Sequence, residues 1–435
     1  MLAAVSFIMI IVMIVLLTKF KWLPAVVFTT LPIVVALVLG TGFEETMALA
    51  ATGITKVLPV AAMFVGSITY FGIMGDVGLF DGFIDFLLSK LKNNITSMLV
   101  ISACVALVTH LDGSGTTTLM ITVPALMPIA QRMGIRRLPF AFVVSMSIAV
   151  FNILPWGGPL GRVGTVLGGL DPVSIWIRSL PMMIFSVILL FGMCFYVSWS
   201  EKHKGFFDPT VSSTATSASR IELSAEEQAL KRPRLVWVNL LLTIGVLALL
   251  FLGVPSFLPF LIGTGLALLI NYGKDGSKAQ TARLKAHAPS ILPLVFTIIC
   301  AGIFLGIFSG SGMVEAMAEV IIGLIPSSLG RFVHIIMGIL SIPLSLVFDA
   351  DTKVYGFLPV LIEVAESCGI DPVKAGIAIA YGHNFGVNMC MTSASVYFGL
   401  GLYGIEYGEM LRYNWAKMFI AGTLVILFGA VVGIL

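Results

Sequence analysis

The hydrophobic positions of this chain form long apolar runs that are separated by short polar stretches. An α-helix needs about 20 apolar residues to cross a bilayer, and several runs approach that length. They predict membrane spans near Leu2–Leu17, Leu23–Leu39, Val57–Met74, Ser174–Val197, Leu235–Leu252, Phe257–Ile270, Ile291–Phe308 and Asn414–Val432. The fold class that this pattern predicts is an all-α polytopic membrane protein.

Two shorter segments place apolar residues at helical spacing with charged residues between them. They cover Asp76–Lys92 and Gly312–Ile325. A helix with one apolar and one charged face is typical of the membrane interface, where it lies parallel to the bilayer. We therefore predict one interfacial amphipathic helix in each half of the chain.

Two further runs, at 96–133 and 330–369, are each interrupted by a polar break. The first break is Leu111-Asp-Gly-Ser-Gly-Thr-Thr-Thr118, and the second is Val347-Phe-Asp-Ala-Asp-Thr-Lys353. Irregular backbone at membrane depth survives only where it is buried in protein or lines a wet cavity. Both runs are therefore predicted to be re-entrant hairpins whose tips hold a ligand.

A second kind of break divides the runs at 138–168 and 373–403. In the first run, Pro155-Trp-Gly-Gly-Pro159 cannot continue an α-helix. In the second run, the break begins at His383 and Asn384. Two broken helices, in corresponding places of two halves, indicate the central binding site of a transporter.

The two halves of the chain repeat each other. A shift of 234 places Val57-Leu-Pro59 on Ile291-Leu-Pro293, and a shift of 235 places Val123-Pro-Ala-Leu126 on Leu358-Pro-Val-Leu361. A near-constant shift over several segments indicates an internal repeat. The predicted domains are a first repeat at 1–200, a polar linker at 201–234 and a second repeat at 235–435.

The basic residues predict how the two repeats are oriented. Most of them share one side, the cytoplasm, if the first hairpin enters from the cytoplasm and the second from outside. The repeats are then inverted, each with about five spans and one hairpin, which gives about ten transmembrane helices in all. This places the linker in the cytoplasm and predicts a multi-pass protein of the bacterial inner (plasma) membrane.

Composition argues against several other classes of protein. The 435 residues are 58% hydrophobic and 11% charged, and their mean hydropathy is +1.05, so membrane lipid is the expected surrounding. A net charge of +3 is too small to indicate a nucleic-acid partner, and the five cysteines show no C-x-x-C spacing. The sequence has no Walker A, G-x-S-x-G or H-E-x-x-H motif, so no enzyme is predicted.

Arg162 and Lys353 are the basic residues that are predicted to lie at membrane depth away from span ends. A cation there is costly unless it is paired, so both are candidate contacts to an anionic substrate. The alternative is a structural ion pair, of Arg162 with Asp112 or of Lys353 with Asp349 or Asp351. The other predicted substrate-binding residues lie at the breaks, and they are Ser114, Gly115, Thr116, Thr117, Asn152, Gly157, Gly158, Asn388, Thr392 and Ser393.

Three carboxylates and one histidine complete the candidate site. Asp112, Asp349 and Asp351 suit a divalent metal ion, a sodium ion or a proton, and the sequence leaves the three open. His383 is a candidate proton relay, with a packed helix residue as the alternative. No fixed cofactor is predicted. The candidate ions are Mg²⁺ or Ca²⁺ carried with the substrate, or Na⁺ as the coupling ion.

The first-half breaks resemble those of a known family. Leu111-Asp-Gly-Ser-Gly-Thr-Thr-Thr118 followed by Ile121-Thr-Val-Pro124, and Asn152-Ile-Leu-Pro-Trp-Gly-Gly-Pro159 with Arg162, are similar to the CitMHS citrate transporters of the ion-transporter superfamily. The resemblance runs over nearly the whole chain in element order. It implies a secondary symporter that takes up citrate, often as a divalent-metal complex, together with protons. It also implies a homodimer whose transport domain moves in an elevator manner.

The second half departs from the family pattern at Asp349–Gly356 and at Gly382–Asn388. The predicted substrate is therefore citrate or a related di- or tricarboxylate. The main alternative is a sodium-coupled transporter of a different organic anion, such as a metal-free carboxylate or a sugar acid. A channel and a membrane-embedded enzyme or sensor are the alternatives from other classes, and saturable uptake against a gradient would exclude the channel.

Overall fold

The computed structural model of the protein describes residues 2–206, 225–391 and 393–435. These residues form α-helices joined by short turns, and the described ranges contain no β-strand. Thr392 and positions 207–224 of the predicted linker lie outside them.

The described residues of the first half form nine α-helices. They are α1 (Leu2–Thr18), α2 (Pro24–Val38), α3 (Phe43–Asp76), α4 (Asp81–Ser89), α5 (Ile95–Thr109), α6 (Gly115–Arg132), α7 (Arg137–Phe151), α8 (Gly158–Val166) and α9 (Pro172–His203). Helix α9 continues to His203, three residues into the predicted 201–234 linker, and the domain bounds stay a prediction. The apolar pattern missed them because the last turn of α9 is polar.

The part of the second half that the structure describes contains eleven helices. They are α10 (Ala225–Leu230), α11 (Val236–Phe251), α12 (Phe257–Tyr272), α13 (Gly276–Gly310), α14 (Met313–Leu324), α15 (Ser327–Gly330), α16 (Val333–Leu344), α17 (Leu358–Ser367), α18 (Pro372–Val387), α19 (Ala394–Tyr403) and α20 (Tyr407–Val431). A π-helical turn, Thr352–Phe357, leads directly into α17.

The predicted all-α polytopic fold is confirmed. Within the described ranges, six helical stretches are long and apolar enough to cross a membrane by length and composition, and five shorter helices are also apolar. The six are Phe43–Asp76, Ile95–Asp112, Pro172–His203, Gln228–Phe251, Gly276–Gly310 and Tyr407–Val431. The number of about ten transmembrane helices stays a prediction, since length and composition do not show which of the shorter helices cross.

The helix bounds follow the shift that relates the two halves of the sequence. Helix α1 begins at Leu2 and α11 at Val236, which is a shift of 234. Helix α7 begins at Arg137 and α18 at Pro372, which is a shift of 235. The hairpin helices α5 and α6 thus correspond to α16 and α17, and the broken helix α7–α8 corresponds to α18–α19.

The long helices α3 and α13 cross at glycines, which brings their backbones together. A Cβ on Gly53 would meet the Gly302 carbonyl oxygen at 2.0 Å and the Gly306 Cα at 2.8 Å. A related contact lies further along the pair, where a Cβ on Gly72 would meet the His287 ring at 2.5 Å. Shifting Gly53 and Gly72 by 234 gives His287 and Gly306. The contact between positions 53 and 306 therefore has its equivalent in the contact between positions 287 and 72, with the roles of the two halves reversed. This is the relation that an internal two-fold axis produces.

The helices fall into two groups according to their packing contacts. Helices α2 and α12 pack on the crossed pair α3 and α13, while α5, α7 and α9 pack on one another, as do α16, α18 and α20. Helix α8 and the turn after α5 contact α3, and the π-helical turn contacts α1. The tip of the first hairpin and the second part of the first broken helix therefore contact the crossed pair.

An ion pair between the buried Glu201 and the partly exposed Arg136 ties the end of α9 to the start of α7. Glu201 is 3% exposed and accepts hydrogen bonds from Arg136 Nε at 2.8 Å and Nη2 at 2.7 Å. The Tyr413 hydroxyl on α20 donates to the same carboxylate at 3.0 Å. Bidentate arginine–carboxylate pairs are strong because both hydrogen bonds are charge-assisted.

Replacing Glu201 with Gln is expected to destabilise the protein by about 2 kcal/mol, since hydrogen bonds to charged groups contribute about 1.5–3 kcal/mol. The measurement is the melting temperature of detergent-solubilised protein, which should fall by several degrees. Glu319→Gln, on an exposed position of α14, is the matched control and should leave it unchanged. Equal melting temperatures for Glu201→Gln and wild type would contradict this role.

Candidate functional site

A cavity of about 420 Å³ lies where the two hairpin tips meet the crossed pair. The first half contributes Asp112, Gly113, Ser114, Asn152, Trp156, Gly158, Pro159 and Arg162 from its breaks. The second half contributes Asp349, Ala350, Asp351, His383, Val387, Cys390 and Ser393. The cavity therefore joins all four breaks that the sequence singled out.

The first hairpin tip is a tight turn that presents a helix N-terminus. Asp112 Oδ1 accepts a hydrogen bond from the Ser114 N–H at 2.8 Å. Gly113 has a φ of 76°, and a Cβ there would lie 3.1 Å from the Trp156 carbonyl oxygen, so this position favours glycine. Ser114 Oγ then accepts from the Thr117 N–H at 3.2 Å and caps α6.

The second hairpin tip makes the same cap with a charged residue. Asp349 Oδ1 accepts from the Thr352 N–H at 2.8 Å. A shift of 235 relates Ser114 to Asp349 and Thr117 to Thr352. The repeat therefore preserves the cap geometry but replaces a hydroxyl with a carboxylate, which makes the second tip acidic.

The side chain of Arg162, in the first half, forms an ion pair with a residue of the second half. Its Nε donates to Asp351 Oδ1 at 2.5 Å, and both side chains are 15% exposed. A pair of Arg162 with Asp112, which the sequence offered as the alternative, is not what the structure shows. No other hydrogen bond joins Arg162 to the described part of the chain, so its Nη groups remain able to hold an anion.

Three helix N-termini also meet at the cavity. Ser114 precedes α6, Gly158 begins α8 and Ser393 precedes α19, and all three residues line the cavity. Neither α8 nor α19 has a side-chain cap. Uncapped backbone N–H groups and the positive end of the helix dipole favour anions. Together with Arg162 they make this region of the cavity suitable for carboxylates.

Trp156 and Asn152 hold the first broken helix in place. Trp156 Nε1 donates to the Leu111 carbonyl at 2.7 Å, and its ring stacks on Phe71 at a centroid distance of 5.0 Å. Asn152 Nδ2 donates to Asn384 Oδ1 at 3.0 Å, which links the two breaks directly. Asn384 was noted in the sequence without a role, and the structure shows it accepting this bond.

The structure places several predicted residues away from the cavity. Lys353 is 1% exposed and bonds to Ser341 and Ser345, so neither predicted pair with Asp349 or Asp351 is formed. Gly115 and Asn388 line a separate cavity of about 20 Å³. Thr116, Thr117 and Gly157 do not line the main cavity, and Thr392 lies outside the described residues.

The crossed pair supplies one wall that the sequence did not predict. Phe64 and Ile68 from α3, and Ser290 and Leu294 from α13, line the cavity. In the sequence these residues look like ordinary positions of apolar spans. Each pair is spaced by four residues, which is typical of any packed helix face, so the spacing carried no signal for a site.

The candidate metal ligands are spread over the two hairpin tips. Among the described residues, no group of three or more His, Cys, Asp and Glu side chains could hold a metal ion. Asp351 is already paired with Arg162, and Asp349 caps the second tip. His383 is buried against the cavity, and its Nδ1 has no partner in the described part of the chain. A divalent ion here would need further ligands from the substrate.

Comparison with known proteins decides the family. The family model described as Citrate transporter (CitMHS) matches residues 1–281, well over half of the chain. The chain belongs to the CitMHS citrate transporter family. This confirms the predicted family. Because the members of the family are transporters, the prediction that the chain is not an enzyme is confirmed. The predicted location, a multi-pass protein of the bacterial plasma membrane, is confirmed as well.

Relatives from Bacillus subtilis (strain 168) match nearly end to end. An "Uncharacterized transporter YraO" is 34% identical over 441 residues and a "Citrate transporter" is 34% identical over 422 residues. A "Mg(2+)/citrate complex secondary transporter" is 31% identical over 439 residues. The alignments cover 99%, 96% and 99% of this chain respectively, and the same shares of the relatives.

A solved structure shares the fold. The Alcanivorax borkumensis YdaH transporter, whose crystal structure was described as having an unusual topology, superposes with a TM-score of 0.58. The superposition covers 90% of this chain and 89% of that one, at 13% sequence identity. At this identity the likeness concerns the fold alone.

Proposed function

We propose that this protein is a secondary active symporter for citrate or a related di- or tricarboxylate, carried as a complex with a divalent metal ion and driven by protons. The observation that carries the proposal is the cavity between the two hairpin tips, where Arg162 meets three helix N-termini. A carboxylate-rich substrate fits this arrangement because several of its oxygens can be bound at once.

The charges of the cavity support the transport of cations together with the substrate. Asp112, Asp349 and Asp351 line the cavity with one guanidinium, Arg162. If all four are ionised, they sum to −2, and a citrate trianion would add three negative charges. Protons on the aspartates, or a metal ion bound to citrate, offset this repulsion. The charges of the site therefore support coupling to cations.

In our proposal, the metal ion enters the site already bound to citrate. The described residues offer no ready-made group of three ligands, whereas citrate provides carboxylate and hydroxyl oxygens of its own. One relative is described as transporting the Mg²⁺–citrate complex. In our proposal, Asp112, Asp349 or Asp351 then needs to supply only one or two ligands to the ion.

The two helix groups support an elevator mechanism. The crossed pair forms one wall of the cavity and the hairpins with the broken helices form the rest. In the proposal, the 1–200 and 235–435 repeats are inverted, the hairpin group is the transport domain, and the crossed pair belongs to the scaffold of a homodimer. The repeat-related contacts of Gly53 and Gly72 support the inverted arrangement.

The test is uptake of labelled citrate into proteoliposomes that contain the purified protein. Imposed proton and sodium gradients are varied separately, each with and without Mg²⁺ or Ca²⁺. We expect saturable uptake that needs the metal and an inward proton gradient. Uptake driven by sodium without metal, with another organic anion competing better than citrate, would favour the alternative transporter. Citrate flux that does not saturate and ignores both gradients would contradict symport.

A further inference from the structure

Lys353 is a buried cation that the proposed substrate site leaves without a role. It lies in the π-helical turn of the second hairpin and is 1% exposed. Its Nζ donates to the Ser341 carbonyl oxygen at 3.2 Å and to Ser345 Oγ. Within the described ranges no carboxylate forms a salt bridge with it. The two hydrogen-bond acceptors of its Nζ are therefore uncharged oxygens.

The first hairpin makes the corresponding bond without a fixed charge. A shift of 235 relates Lys353 to Thr118 and Ser345 to His110. His110 Nδ1 and Thr118 Oγ1 are hydrogen-bonded at 2.8 Å. In each hairpin, therefore, these two equivalent positions close a bond between the two arms. The second hairpin differs because one partner of its bond is a lysine, whose ammonium group is buried.

The surroundings of Lys353 resemble a cation site in their chemistry. Ser341 belongs to the last turn of α16, and carbonyl oxygens at a helix C-terminus carry partial negative charge. Carbonyl and hydroxyl oxygens are the neutral ligands that hard cations take in proteins. The charged and titratable neighbours that face Lys353 are Asp349, Cys390 and His383, all of which line the cavity.

We infer that Lys353 is a cation built into the chain, whose ammonium fills a cation site at the second hairpin that would otherwise take a sodium ion. The inference rests on the proposed citrate transport, because it makes the Lys353 ammonium one of the positive charges that offset the acidic second hairpin tip. Two consequences follow. Uptake by the wild-type protein needs no sodium ion at this hairpin, and removal of the ammonium creates a vacancy for a small cation.

The test uses Lys353→Ala, which empties the site, and Lys353→Met, which fills much of the space without charge. Melting temperatures are measured in detergent without citrate, in NaCl, in NH₄Cl and in choline chloride at equal ionic strength. We expect Lys353→Ala to melt several degrees below wild type in choline and to recover in Na⁺ or NH₄⁺. The Lys353→Met variant and wild type should not distinguish the three salts.

The matched control is Thr118→Ala, which removes the equivalent hairpin bond without removing a charge. It should be no more stable in Na⁺ or NH₄⁺ than in choline. Citrate uptake provides the second readout. We expect Lys353→Ala to lose at least about tenfold in choline and to regain part of it in Na⁺ or NH₄⁺, where a tenfold change corresponds to about 1.4 kcal/mol.

The outcomes separate this inference from the proposed function. Absence of citrate uptake by the wild type contradicts the proposed substrate, while the melting temperatures still test Lys353. Stability of Lys353→Ala that is the same in all three salts, whether at the wild-type value or below it, overturns the built-in cation. Failure of Lys353→Ala to fold in any salt overturns it as well, because a vacant cation site should be filled by added cation.

Discussion

Replacing Arg162 with Gln is expected to lower citrate uptake at least about 100-fold. The side chain has one hydrogen bond to Asp351 and lines the cavity, so its remaining N–H groups are available for a substrate carboxylate. Each hydrogen bond to a charged group contributes about 1.5–3 kcal/mol, so two lost bonds account for a change of that size. The measurement is initial uptake of labelled citrate, normalised to folded protein in the membrane.

A double variant separates the two roles of Arg162. Arg162→Gln leaves Asp351 as an unpaired, mostly buried carboxylate, which itself destabilises the protein. Adding Asp351→Asn removes that charge, so the double variant should recover the wild-type melting temperature. We expect it to remain inactive, because it still lacks the guanidinium. Recovery of citrate uptake in the double variant would show that Arg162 serves only as the partner of Asp351.

Replacing Gly53 with Val is expected to prevent the protein from folding normally. A Cβ at this position would lie 2.0 Å from the Gly302 carbonyl oxygen and 2.8 Å from the Gly306 Cα, so the backbones of α3 and α13 would have to separate. Overpacking a core costs about 1–3 kcal/mol where side chains can adjust, and here the obstacle is backbone. The measurement is the yield and melting temperature of monodisperse protein in detergent.

Gly192→Val is the control for this prediction. Gly192 lies in α9, and a Cβ there would have no heavy atom within 4 Å. Both changes add the same side chain to a long apolar helix, so they share any effect of helix propensity. Normal yield and stability of Gly53→Val would contradict the close crossing of α3 and α13.

The parts of the site that could be predicted from the sequence are the polar, irregular segments that interrupt apolar helices. Irregular backbone with polar residues at membrane depth is conspicuous, so both hairpins and both broken helices could be located. The internal repeat then related Ser114 to Asp349, and the structure shows the same helix cap at both positions. These features are local, or they recur at a fixed shift, and for that reason sequence alone could reveal them.

Contacts between distant segments were not predictable in the same way. Arg162 and Asp351 are 189 residues apart, and the sequence suggested Asp112 as the partner of Arg162 instead. Lys353 lies next to two aspartates in sequence, yet its long side chain extends to Ser341 in the other arm of the hairpin. Ser290 is one of the cavity-lining residues of α13 that resemble any residue of a packed helix. Only the three-dimensional arrangement of the helices determines these contacts.

Substrate protection at Ser290 tests most directly the claim that the cavity binds citrate. Ser290 lines the cavity and is exposed, so Ser290→Cys, in a variant without the five native cysteines, should react with a maleimide. Ser89→Cys, at the exposed end of α4, is the control. We predict that saturating citrate with Mg²⁺ slows labelling at position 290 and leaves position 89 unchanged. Equal labelling rates at position 290 with and without Mg²⁺–citrate would contradict the account.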